Sequence, residues 1–141
     1  MSKYKLTKIE LLSKKGKMKL GLQIILGILS LIPAIVSILG ITQGVVRFIP
    51  DSVTANFDSH YRYLTGYYLS LSLLVWWIIP QIEKHKTVLR IVCGGIFFGG
   101  IGRIISMTQI GIPGFGGIAF TGLELMLPLL CIWQAKLPRA K

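Results

Sequence analysis

LGLQIILGILSLIPAIVSILGITQGVV, residues 20–46, runs for 27 residues without a charged side chain. A helix rises about 1.5 Å per residue, so about 20 apolar residues cross a hydrocarbon core about 30 Å thick, and this run exceeds that need. Tyr63 to Ile82 is a second uncharged run, of 20 residues. From Ile91 to Ala135 the chain is apolar apart from Arg103 and Glu124, and Gly111-Ile112-Pro113-Gly114-Phe115-Gly116-Gly117 divides it. That Gly/Pro segment reads as a tight turn. The sequence therefore predicts an all-α polytopic membrane protein with four transmembrane helices near 19–41, 61–82, 88–109 and 118–135. The transmembrane domain covers 19–135, between basic tails at 1–18 and 136–141.

Composition agrees. Of 141 residues, 52% are apolar and only 15% charged, with a mean hydropathy of +0.67. Globular domains carry about a quarter charged residues, so disorder, a soluble nucleic-acid-binding domain and a secreted disulfide scaffold are excluded. Four spans leave no room for a separate soluble catalytic domain.

The 16 Lys and Arg residues set the expected topology. Seven lysines precede Leu20. Lys84, Lys86 and Arg90 lie between helices 2 and 3, and Lys136, Arg139 and Lys141 end the chain. The opposite side carries Arg47 and Arg62 alone, and Arg103 lies within a span. By the positive-inside rule both termini are cytoplasmic, with Trp76, Trp77 and Trp133 at the inner interface and Tyr61, Tyr63, Tyr67 and Tyr68 at the outer one. The net charge of +11 then points to anionic lipid at the cytoplasmic face and not to nucleic acid. Tyr4, Leu6, Ile9, Leu11 and Leu12 alternate with lysines in a rough helical pattern, consistent with an interfacial helix or with a solvated tail that only sets topology. The first apolar run is too long for a signal peptide's core and is read as retained. Cys93 and Cys131 have no CxxC or histidine neighbours and read as buried, reduced and inert.

Gly95, Gly99, Gly102 and Ser106 recur on helix 3 at spacings of four, three and four, a small-residue stripe that lets another helix approach closely. Helix 1 carries a weaker stripe in Gly27, Ser30, Ala34 and Ser37, with Pro33 expected to kink it. Gly100-Ile101-Gly102-Arg103 is no dinucleotide fingerprint, since it follows no strand.

Arg103 and Glu124 are the sharpest features. A mid-span charge costs at least about 2.5–3.5 kcal/mol on insertion scales and usually faces protein or a water-filled cavity. Each lies six residues from the outer end of its helix, Gln109 for Arg103 and Ile118 for Glu124, so both sit about 9 Å deep and can pair across the short turn. A bidentate contact suits the guanidinium fork. Arg62 on helix 2, with Asp58, His60, Gln43, Gln109 and Thr121 as a rim, extends this into a possible outward-opening polar pocket. Two readings compete: a structural pin fixing helix register, with Arg62 snorkelling to the head groups, or a pocket in which Arg62 and Arg103 bind an anionic head group while Glu124 orients them. No activated serine or cysteine, metal-ligand cluster or cofactor motif accompanies them.

The string from Arg62-Tyr63-Leu64-Thr65-Gly66 through Gly102-Arg103-Ile104-Ile105-Ser106 to Glu124 resembles the small bacterial four-span membrane proteins grouped as domain of unknown function 4345. The resemblance covers roughly residues 20–135. It implies a bacterial inner-membrane location and supports Arg62, Arg103 and Glu124 as residues of interest, but implies no activity. Small multidrug transporters also have four spans and an embedded Glu, yet theirs lies in the first helix and their charge bias is weak. The expected function is that of a non-enzymatic, self-associating accessory or scaffold protein supporting the cell envelope. The alternative is a binder or carrier of an anionic lipid or small anion.

Overall fold

The computed structural model describes residues 3–137, with side chains from Ser13 onward. Its helices are α1 (Lys3–Gln43), α2 (Ala55–Ile78), α3 (Lys86–Gln109), α4 (Phe115–Met126) and α5 (Pro128–Ala135), and no described residue lies in a strand. Ser13–Gln43, Ala55–Gln81, Lys86–Gln109 and Phe115–Ala135 are each long and apolar enough to cross a membrane. The all-helical fold with four candidate spans is as the apolar runs require.

Three boundaries differ from the expected ones. The backbone of the basic tail is continuous with α1 from Lys3. Lysine and leucine are good helix formers, and a helix once nucleated propagates through them. The amphipathic pattern from Tyr4 to Leu12 lies outside the described side chains, and residues 138–141 of the C-terminal tail lie outside the described residues. Next, α2 begins at Ala55, six residues before the expected start, because the Thr54 side chain accepts a hydrogen bond from the Phe57 N–H and caps it. Finally, the last span is two helices. Pro128 has no N–H to give to the Glu124 carbonyl four residues earlier, so the chain breaks at Leu127 and restarts with proline in the first turn of α5.

The chain divides into two compact units: Gln23–Pro80, and the part of α1 up to Leu22 together with the chain from Gln81 onward. In the first unit α1 buries Ser30, Ala34, Ser37 and Gly40. A Cβ at Gly40 would sit 3.0 Å from Thr65 Cβ, so the absence of a side chain sets how closely α1 and α2 approach. Trp76 Nε1 donates to Ser30 Oγ at 2.7 Å, and Gln23 Nε2 to the Ile79 carbonyl at 2.8 Å. The stripe that looked weaker in sequence is thus a packed face. Pro33 lies inside α1 without ending it.

In the second unit α3 packs on α4 and α5 and buries Leu89, Val92, Cys93 and Gly100. Gln134 of α5 is fully buried, and its Nε2 donates to the Ile82 carbonyl at 2.6 Å, tying α5 to the α2–α3 link. Lys19 Nζ lies 3.0 Å from Oε1 and 2.9 Å from Oε2 of Glu83 in that link. Burial pushes the Glu83 carboxyl up, but the Lys19 hydrogen bond, its own backbone N–H and the charges of Lys19 and Lys84 outweigh this and hold it below its ordinary range. A lowered folded-state value stabilises the fold above the unfolded value, and this contribution is lost as pH falls through the folded one. The expected result is that wild type loses more thermal stability than Glu83→Gln on acidification below the ordinary glutamate range. Parallel melting curves of the two proteins across pH would contradict it.

Candidate functional site

The turn after α1 is built around Gly44. Its φ of 65° and ψ of −171° lie where residues with a Cβ rarely go. This conformation lets Asp58, in the first turn of α2, reach across. Asp58 Oδ1 accepts the Val45 N–H at 2.8 Å, and Oδ2 accepts Arg62 Nε at 2.7 Å. Arg62 Nη1 donates to the carbonyls of Ile41 and Thr42, in the last turn of α1. The helix-end carbonyls and the turn N–H thus find charged partners one helical turn apart on α2. Arg62 thus caps α1, and Asp58 is its direct partner.

Arg103 and Glu124 meet in the other unit, as their equal depth required. The geometry is not the fork. The Nε–H donates to Oε1 at 3.2 Å, while Oε2 lies 3.0 Å from Nε and accepts no hydrogen bond among the described residues. The side chains are unequally covered, 45% exposed for Arg103 and 14% for Glu124. Gly100 makes the approach possible, since a Cβ there would lie 3.2 Å from both Glu124 Cβ and Leu125 Cδ2.

The Nη edge of Arg103 faces no acceptor among the described residues. Arg103 also lines a cleft of about 420 Å³ where α3 leads into α4, together with Ser106 and the apolar Met107, Ile110, Ile112 and Pro113. No carboxylate lines it.

Arg62 and Arg103 each pair with a carboxylate of their own unit, Asp58 and Glu124. Gln43 accepts from Arg47 Nη1 at 2.8 Å, and His60 Nδ1 lies 2.8 Å from the Asn56 carbonyl. Thr121 is buried and donates to the Gly117 carbonyl one turn back, while Gln109 is exposed at the end of α3. Gly95, Gly99, Gly102 and Ser106 are all exposed, and a Cβ on any of the three glycines would meet nothing within 4 Å. Among the described residues no group of three His, Cys, Asp or Glu is placed to hold a metal.

Sequence reading missed Gly44, Lys19, Glu83 and Gln134. A glycine two residues before the end of the 27-residue run was the available signal for the first. For Gln134 the signal was a lone amide ending an apolar run. Lys19 and Glu83 looked like topology markers, and nothing in their spacing paired them.

No curated protein and no solved structure matches the chain. A family described as Domain of unknown function (DUF4345) matches residues 21–135, from the first span to the end of α5, and the chain belongs to that family.

Proposed function

We propose that this is a non-enzymatic accessory or scaffold protein of the bacterial inner membrane that assembles with a second copy of itself through α3 and supports envelope integrity. Both termini face the cytoplasm in this reading, supported by the basic residues gathered at the tails and the α2–α3 link, where anionic lipid is the natural counter-surface.

The observation that carries self-assembly is the open face of α3. The chain's own helices use the side of α3 marked by Leu89, Cys93 and Gly100, about 120° round the helix from the stripe. Ile91, Phe98 and Ile105 present large apolar groups suited to acyl chains on another side. Gly95, Gly99, Gly102 and Ser106 offer neither bulk to lipid nor contact to the chain. Two small-x-x-x-small pairs in register form a shallow groove, and a second α3 fits it with backbone-close contact.

Gly99→Leu tests this cleanly, because the added side chain enters open space in the single chain. In native mass spectrometry from mild detergent, wild type is expected as a dimer or larger and Gly99→Leu as a monomer of unchanged thermal stability. A strictly monomeric wild type, or a variant that assembles equally well, would overturn the reading.

A further inference from the structure

Self-association leaves the Arg103 cleft without a role, and the chemistry of that cleft is specific. Glu124 accepts the Arg103 Nε–H, and neither Nη group donates to a group among the described residues. The cleft runs from Arg103 along α3 through Ser106 to Ile110 and into the turn, the direction in which an arginine in a span extends toward the nearest end of its helix. Ser106, Gly111 and Ile112 line it, and the Ser106 hydroxyl and the backbone N–H groups of Gly111 and Ile112 donate to no group among the described residues. Unused guanidinium donors in a membrane-embedded segment are costly unless an acceptor meets them. The cleft thus combines hydrogen-bond donors with four apolar side chains and offers no competing carboxylate. Its volume of about 420 Å³ falls within the range of small-ligand sites, roughly 300–1,000 Å³.

We propose that this cleft binds one phosphate-bearing group, with the Nη edge of Arg103 and the Ser106 hydroxyl on the phosphate oxygens and Met107, Ile110, Ile112 and Pro113 against the apolar part of the same molecule. Glu124 is the positioning residue. It neutralises the net charge of Arg103 but not its directional donors, so recognition rests on hydrogen bonds to phosphate and not on long-range attraction. The same chemistry is presented by a phospholipid head group and by free phosphate. The inference does not depend on self-association, because no stripe residue except Ser106 lines the cleft.

The test uses the full chain in mild detergent, titrated with phosphatidylglycerol, with a diacylglycerol of the same acyl chains that lacks the phosphate, and with inorganic phosphate. Binding is read by native mass spectrometry and by thermal shift. The Ser106→Trp variant fills the cleft while retaining the Arg103–Glu124 pair. Arg103→Gln/Glu124→Gln keeps a neutral pair and removes the charged donor. All lysines remain in both variants, so any lipid held by the basic tail is a common background. One phosphatidylglycerol per chain is expected in wild type above that background, with about tenfold weaker binding in each variant and no saturable binding of the diacylglycerol. Saturable binding of inorganic phosphate alone, lost in the same variants, would support the cleft and assign its ligand as the free ion. Equal phosphatidylglycerol binding by wild type and both variants, or no saturable binding of either phosphate probe by wild type, would overturn the proposal.

Discussion

Arg103→Leu is expected to destabilise the purified protein clearly more than Glu124→Leu, and Arg103→Leu/Glu124→Leu is expected to be more stable than Arg103→Leu alone. The asymmetry follows from coverage. Glu124 is 14% exposed and its Oε2 is shut off from solvent, so loss of Arg103 leaves a carboxylate with no partner in a covered position. Breaking a buried pair in this way costs about 3–5 kcal/mol in soluble proteins. Water entering from the adjacent cleft moderates that toward about 2–3 kcal/mol. Loss of Glu124 instead leaves an arginine that is 45% exposed and can turn fully into the cleft, at a cost nearer the value of a surface ion pair, about 1 kcal/mol or less. Removing both charges takes away the orphan, so the double variant recovers. Thermal melts of the four proteins in one detergent complete the cycle. Additive losses would show that the two side chains are not coupled, and equal single losses would show that the burial difference carries no energy.

Gly44→Ala should be the most damaging single-methyl change in the turn between α1 and α2. Two independent costs coincide there. The backbone at φ 65° and ψ −171° is a region essentially closed to residues with a Cβ, worth about 1–3 kcal/mol of strain. The new methyl would also run into Asp58 Oδ1, which holds the turn, and into the Arg62 guanidinium, whose Nη1 caps α1. Displacing them strands the Val45 N–H and the Ile41 and Thr42 carbonyls. A total loss of about 3 kcal/mol or more is expected. Gly66→Ala is the matched control, since Gly66 is helical and a Cβ there meets nothing within 4 Å. It should be neutral or gain up to about 1 kcal/mol from helix propensity. Melting of Gly44→Ala within a degree of wild type would mean that the clasp does not hold the turn.

These two sites differ in how far they could be read from the chain alone. The Arg103–Glu124 pair was legible because two charges in otherwise apolar runs, at equal depth on either side of a short turn, have no cheaper partner than each other. Its consequences were not, because the use of Nε instead of the fork depends on where Gly100 lets α4 come to rest. The partners of Arg62 were hidden for the same kind of reason. Sequence marks it as a lone cation at a span end, but its acceptors are carbonyls of Ile41 and Thr42, 21 and 20 residues away, which become available only because α1 stops at Gly44. The Leu127 break was readable in principle from Pro128, but apolar periodicity continued across it.

The sequence by itself determined that the chain is all-helical, that four segments can span a membrane and that it has the pattern of its family. Transfer of side chains from water to hydrocarbon decides these, and that term is additive along the chain. The tertiary structure alone decided that the small-residue face of α1 packs within its own unit, and which partner each arginine takes. Within hydrocarbon one apolar face is as good as another, so helix pairing is governed by close backbone approach at Gly40 and Gly100 and by hydrogen bonds between residues distant in sequence, neither of which apolar periodicity encodes.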